Sequence, residues 1–283
     1  MQSIKTSLEE NGYVVVPNVL NETEVEAIKD SHKSWRDSLP NHDTMHKKIS
    51  PHGIYKFHEV GHQRHAWLTR INPKVQAIFK YLWDTDDLVV SFDGSCYIPK
   101  EEKRIDKLWT HTDQAPANKN LECYQGFVAL TSNTERTLIV YPKSHMHFKE
   151  LYRDNNSKTN WNLIKASDLE GLEKKALEVP AGSLVLWDSR TFHQNRYGAP
   201  NSEERLVQYV CYLPKSHPKN TANMKQKRLK YFNERRTTSH WPCPIKVNGK
   251  QPQTYGNDSL LINYDNLTEP NLEDIQEEIM KLL

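Results

Sequence analysis

His111, Thr112 and Asp113 follow one another, and a second histidine, His193, ends the stretch Ser183-Leu184-Val185-Leu186-Trp187-Asp188-Ser189-Arg190-Thr191-Phe192-His193. Two imidazoles and one carboxylate can occupy one face of a metal ion and leave the opposite positions open to a co-substrate and dioxygen, the ligand logic of non-haem Fe(II) oxygenases. One residue separates His111 from Asp113, so on an extended strand both project from the same side. The third ligand must then come from another element. A histidine on a strand antiparallel to the first, about 80 residues later, suits a double-stranded β-helix. The alternative remains open, because 13 histidines make an accidental His-x-Asp pair easy to obtain. His145, His147 and the run from His58 to His65 could also mimic a zinc site, although they read as loop histidines.

Arg205 opens a strong strand twelve residues beyond His193, where a rigid guanidinium can pair bidentately with a carboxylate. An ordinary surface arginine is the competing reading. Arg190 and Arg196 flank His193 and are candidates for an anionic substrate or for plain salt links. Trp109, Gln114 and Trp187 border the candidate ligands and serve either substrate or packing.

The elements that must position these residues follow from periodicity. Residues 12–17 form a short β-branched run bounded by Gly12 and Pro17. Asn21 and Glu24 then stand at capping-box spacing, with Leu20 and Val25 placed as a hydrophobic staple, and Val25, Ile28, His32, Trp35 and Leu39 recur at helical intervals. Residues 41–66 read as an irregular excursion before a helix over 74–83. Residues 88–92, 124–130, 137–141, 183–187 and 205–213 are strand-like, which predicts a β-sandwich or barrel. Residues 149–176 read as a polar insertion with helical pieces, and Pro180-Ala181-Gly182 as a tight turn. Residues 215–236 carry eight Lys or Arg against one Glu, with Met224, Leu229 and Phe232 as an apolar stripe. Residues 235–242 are a candidate lid or a turn-capping loop, and Leu272, Ile275, Ile279 and Leu282 predict a docking helix over 268–283.

Composition bounds the rest. Hydrophobic residues make up 36% and charged residues 26%, with enough aromatic residues to exclude a disordered chain. A net charge of +2 and a pI near 8.2 give no chain-wide argument for nucleic acid or an anionic membrane. Cys96, Cys123, Cys211 and Cys243 form no CxxC pair, and no signal peptide or long apolar run is visible, so reduced thiols in a cytoplasmic protein are expected.

In order along the chain, these parts resemble the phytanoyl-CoA dioxygenase-like branch of the Fe(II)/2-oxoglutarate-dependent oxygenases. The resemblance rests on the opening strand and helix, and on His111-Thr112-Asp113 preceded by Trp109. It continues through the turn Pro142-Lys143-Ser144-His145 and the Gly-turn strand ending in His193, and finishes at Arg205. It implies a mainly β fold with flanking helices (α+β) around a double-stranded β-helix, jelly-roll or cupin-like core. One catalytic domain, 1–283, would comprise N-terminal support over 1–87, a core over about 88–214 and a C-terminal segment over 215–283. It further implies His111, Asp113 and His193 as iron ligands and Arg205 as partner of the distal carboxylate of 2-oxoglutarate. Asn195 stands where the family often has a hydroxyl residue, and Tyr97 and Phe127 are either pocket-lining or core. The implied cofactors are Fe(II), 2-oxoglutarate and O2, and the implied reaction hydroxylates a small or medium organic molecule with release of succinate and CO2.

Two other readings compete. One is a catalytically silent barrel that binds nucleic acid or another anionic partner through residues 215–236. The other is a cupin-like hydrolase or isomerase using zinc or manganese, which would have no need of Arg205.

Overall fold

A left-handed glycine, Gly12 (φ 80°), ends the first helix and turns the chain into the first strand. A Cβ there would lie 2.5 Å from His145 Nδ1 and 2.6 Å from Thr191 Oγ1, so backbone conformation and space both require glycine. The computed structural model describes residues 1–40, 42 and 48–283; part of the excursion expected over 41–66, residues 41 and 43–47, lies outside them.

Among the described residues the strands are β1 (Tyr13–Val16), β2 (Ile54–Tyr55), β3 (Leu88–Val90), β4 (Ser95–Ile98), β5 (His111–Thr112) and β6 (Tyr124–Ala129). They continue with β7 (Leu138–Val140), β8 (Asn162–Leu163), β9 (Lys175–Ala176), β10 (Leu184–Asp188), β11 (His193–Asn195) and β12 (Arg205–Pro214). The α-helices are α1 (Gln2–Asn11), α2 (Glu22–Ser38), α3 (Arg64–Arg70), α4 (Pro73–Trp83), α5 (Ser144–Leu151), α6 (Ala222–Asn233) and α7 (Gln276–Met280). The fold is mainly antiparallel sheet with flanking helices, of the jelly-roll class. Two compact units divide the chain, residues 1–18 with 98–205 and residues 19–97 with 206–283.

The first unit holds two antiparallel sheets. In one, β1, β10 and β6 lie side by side, with Val14 opposite Leu186 and Leu186 opposite Gly126. Every residue of β6 and β10 is buried, which is why both read as continuous apolar runs. The second sheet runs β8, β5, β11, β7, β9. The insertion expected over 149–176 begins earlier, at α5, and returns through β8 and β9. Phe148 and Tyr152 anchor it on Ile139, Tyr141, Ile164 and Phe192. His145, a possible zinc mimic by sequence, is instead a brace, its Nε2 3.0 Å from the Glu9 carbonyl. Buried Arg136 donates to the carbonyls of Pro99, Lys100 and Glu102 and so ties down the segment that leads to β5.

In the second unit, α2 starts at the expected capping box: Glu24 N donates to Asn21 Oδ1 and Asn21 N to Glu24 Oε2. Its buried side is Val25, Ile28, His32 and Trp35. Helix α4 begins at Pro73, capped by Asn72, one residue before the expected start. Strand β3 pairs with β12, with Val90 opposite Tyr212.

Two C-terminal expectations change, and the stretch 235–242 follows its turn-capping reading. In α6 the inward position falls to Arg228, not to Leu229, which is exposed. Arg228 donates to Asn220 Oδ1 and the Pro242 carbonyl, Arg235 pairs with Glu59 and Glu269, and Arg236 donates to the Asn248 carbonyl. Residues 215–236 are therefore not a uniformly solvated cationic face. The stretch 235–242 is fastened within its unit: Thr238 exchanges hydrogen bonds with the backbone of Phe92, and Gly61 N donates to Thr237 Oγ1. The tail expected to be helical over 268–283 is a 3-10 turn, Glu273–Ile275, followed by the short α7, although Ile279 and Leu282 are buried as expected.

All four cysteines are buried free thiols. No helix among the described residues is long and apolar enough to cross a membrane.

The second unit also buries four histidines. Burial pushes His32 and His62 down to about 3 and His58 to about 4, and holds His65 well below the ordinary histidine range. These imidazoles stay neutral in the fold, whereas an unfolded chain takes up their protons near pH 6.5. Stability is thus present above that pH and lost as pH falls toward the folded values, by up to about 1.4 kcal/mol per pH unit for each histidine. Thermal unfolding monitored from pH 7.5 to 4.5 should show Tm falling below pH 6.5. His65→Leu should flatten that slope, since neither ring nitrogen of His65 has a hydrogen-bond partner among the described residues.

Candidate metal centre

Strand β5 delivers His111, and β11 delivers His193 directly opposite it in the antiparallel register. Side chains at directly opposed positions leave a sheet on the same face. The two imidazole rings accordingly lie 4.4 Å apart between centroids. Asp113, one residue past the end of β5, is held by its own N–H to the Ser189 carbonyl at 3.2 Å. Its Oδ2 lies 3.6 Å from His111 Nε2 and 3.2 Å from His193 Nε2. All three residues are buried, and one donor atom from each lies within 4.8 Å of the others.

The remaining ring nitrogens fix which lone pairs face inward. His111 Nδ1 lies 3.1 Å from the Trp109 carbonyl, and His193 Nδ1 lies 2.9 Å from the Thr191 carbonyl. A carbonyl only accepts, so each Nδ1 carries the hydrogen and each Nε2 offers its lone pair to the centre. Burial, and after it the neighbouring His111, holds His193 below the ordinary histidine range, which favours the neutral form that binds metal. The Trp109 ring lies 4.8 Å from the His111 ring at 23°, and Trp187 lies 5.2 Å from His193. Two imidazoles and a carboxylate in one buried cluster fit a single divalent iron with coordination positions left over for 2-oxoglutarate and oxygen.

Arg205 is fully buried in the same unit. Its Nη1 donates to Asn195 Oδ1 at 2.8 Å, and its guanidinium lies 5.5 Å from the centre of the Phe127 ring. Three of the sequence candidates, Arg205, Asn195 and Phe127, therefore meet. Tyr97 belongs to the other unit, where it packs with His32 and Tyr55 and Arg36 lies 4.3 Å from its ring centre.

The remaining candidates have structural partners. Arg190 forms a two-pronged pair with Asp188, at 2.9 and 2.6 Å. Arg196 pairs with Glu135 at 2.9 Å and lies 3.8 Å from Asp106. Gln114 accepts from Ser189 Oγ and Glu122 N and donates to the carbonyls of Asn118 and Asn120, bracing the loop after Asp113. Trp109 donates from Nε1 to the Asn195 carbonyl.

Two residues escaped the sequence reading. Gln125 donates from Nε2 to Asp113 Oδ2 at 3.0 Å and accepts from Trp187 Nε1 at 2.9 Å. Its position on β6 gave no signal beyond a polar residue in an apolar strand. Trp161 places its ring 5.8 Å from His111, from a polar loop with no recognisable pattern.

Comparisons with known proteins place this geometry. A family model described as "Phytanoyl-CoA dioxygenase (PhyH)" matches residues 8–197. A curated protein described as "Ava biosynthesis cluster protein O", from Aspergillus versicolor, is 31% identical over 188 residues, covering 60% of this chain. The match spans 61% of that relative's length. Among solved structures, the epimerase SnoN in complex with Fe3+, alpha-ketoglutarate and nogalamycin RO aligns with a TM-score of 0.54 at 20% identity, over 76% of this chain and 84% of that one. The non-heme alpha-ketoglutarate-dependent carbocyclase SnoK, from nogalamycin biosynthesis, aligns with a TM-score of 0.51 at 21% identity, over 76% and 84%. These two likenesses establish the shared fold. With the family model matched across about two thirds of its length, the chain belongs to the phytanoyl-CoA dioxygenase family.

Proposed function

We propose that this protein is an Fe(II)- and 2-oxoglutarate-dependent oxygenase that oxidises a small or medium organic molecule, most simply by hydroxylation. The convergence of His111 Nε2, Asp113 Oδ2 and His193 Nε2 in one buried cluster carries the reading. Family membership supports the same class of chemistry. When bound, iron with 2-oxoglutarate and O2 supplies an oxidant for a C–H bond and leaves succinate and CO2.

The chain's own residues divide the work. His111, Asp113 and His193 would hold the metal, and the Trp109 and Thr191 carbonyls keep both imidazoles in the ligating tautomer. Gln125 orients the carboxylate of Asp113 and is itself held by Trp187. Arg205, steadied by Asn195, would bind the distal carboxylate of 2-oxoglutarate, a charge-assisted pairing in a water-poor setting. Burial of all these groups excludes bulk water from the reacting centre.

An epimerase and a carbocyclase share the fold, so the fate of the oxidised carbon is a separate question from the cofactor. Product mass answers it: hydroxylation adds one oxygen, ring closure by oxidation removes two hydrogens, and epimerisation leaves the mass unchanged. Oxygen addition coupled to succinate release is the expected result.

His111→Ala and His193→Ala should each abolish stoichiometric iron binding and succinate formation together. Arg205→Ala should leave iron binding intact and raise the 2-oxoglutarate requirement about 10- to 100-fold, as loss of a charge-assisted pair of about 1.5–3 kcal/mol implies. Arg205→Lys should fall between. An unchanged requirement in Arg205→Ala would favour a metal-dependent hydrolase or isomerase. Gln125→Leu, measured by competition for Fe(II) with a chelator, should weaken iron binding about 10- to 100-fold if the amide positions Asp113.

A further inference from the structure

Beside the metal cluster, the first unit leaves apolar side chains in solvent. Leu163 lies directly opposite His111 across the β5–β8 pair, so it leaves the sheet on the face that carries His111 and His193. It is 55% exposed. Asn162, the intervening residue, points the other way and donates to the carbonyls of Gln114, Thr159 and Asn160. That anchoring sets the parity of its neighbours. Trp161 therefore falls on the His111 face, its ring centre 5.8 Å from that of His111 and tilted by 41°, with half of its surface exposed. Among the described residues, β8 is an edge strand of its sheet.

Large apolar side chains in solvent are individually ordinary, but two of them on the His111 face of a buried metal-type cluster call for an occupant. The nearby arginines do not suggest an anion, because Asp188 engages Arg190 and Glu135 engages Arg196. A second copy of the chain is a poor fit, since stable interfaces need about 800 Å² from each partner and two side chains supply far less.

We propose that Trp161 and Leu163 form the substrate-facing rim of this centre and select a small molecule with an apolar, flat ring system, one face of which stacks on Trp161. The inference rests on the proposed metal site for its location, and it deepens that reading by naming the class of substrate. Trp161 acts as a specificity residue, placing one edge of the ring system toward the cluster through contact alone. Indole offers the largest stacking face of any side chain, and stacking of this kind changes affinity about three- to tenfold.

Equilibrium dialysis of 2-naphthol against the intact chain tests the assignment, with wild type compared to Trp161→Ala, Trp161→Phe and Leu163→Ser. Saturable binding to wild type, weakened about three- to tenfold by Trp161→Ala and restored in large part by Trp161→Phe, is expected. Trp161→Ala should take up Fe(II) as wild type does while losing affinity for the probe, which separates this proposal from the metal reading. Equal binding by wild type and Trp161→Ala, or none by wild type, would overturn the rim even if iron binding is intact. Loss of a dimer in Trp161→Ala, seen as a change in sedimentation, would overturn it in favour of contact between copies. Should wild type take up no iron and yet lose 2-naphthol with Trp161→Ala, the metal reading fails and the rim stands.

Discussion

One strand register underlies the candidate centre: β5 against β11, with His111 facing His193. A slip of a single residue would swing one imidazole to the other side of the sheet and dissolve the cluster. Two residues of β5 and three of β11 cannot hold that alignment by ladder bonds alone, and the lock comes from side chains beside them. Gln194 Oε1 accepts from both Thr110 Oγ1 and Trp109 N, while Ser144 Oγ accepts from Phe192 N. Thr191 Oγ1 reaches back to the Gly12 carbonyl, so the helix–strand junction at Gly12 braces the approach to His193. The opening strand and helix thus matter to the site through geometry, with no ligand of their own.

Buried guanidiniums recur in this chain, and their partners separate scaffold from site. Arg70 donates to the Gly61 and Asp93 carbonyls, Arg136 to three carbonyls, and Arg228 to Pro242 O and Asn220 Oδ1. Each bond ends on polar groups that only the fold itself supplies, so these arginines tie loops. Arg205 differs in standing on the strand beyond His193, where its Nη1 donates to Asn195, two residues from that histidine, and its guanidinium lies over the Phe127 ring. In the proposed function this is the cation offered to the distal carboxylate of 2-oxoglutarate.

Much of this was legible in the sequence where local chemistry and long-range packing agree. The capping box at Asn21 and Glu24 and the apolar strands β6, β10 and β12 each satisfy a local rule that burial reinforces. The convergence of His111, Asp113 and His193 could be anticipated because period-two spacing and antiparallel pairing leave few other placements. What was not legible depends on partners remote in sequence. Strand β8 has two residues and exists because β5 pairs with it, so neither it nor the position of Trp161 carries a pattern. Gln125 looks like a defect in an apolar strand until Asp113 and Trp187 are seen at its two ends. Residues 215–236 suggested a solvated basic face because periodicity cannot reveal that Arg228 occupies the inward position. Arg190 and Arg196 looked available for substrate because their carboxylate partners could not be assigned from spacing alone.

The central claim is that His111, Asp113 and His193 hold one iron with open positions for a bidentate 2-oxoacid. Anaerobic titration of the metal-free protein with Fe(II) and then 2-oxoglutarate tests it most directly. A weak visible charge-transfer band that grows to one equivalent of each, and is missing from His193→Ala, is the predicted result. A correctly folded protein that gives no band with both additions would contradict it and assign the cluster to another metal and another chemistry.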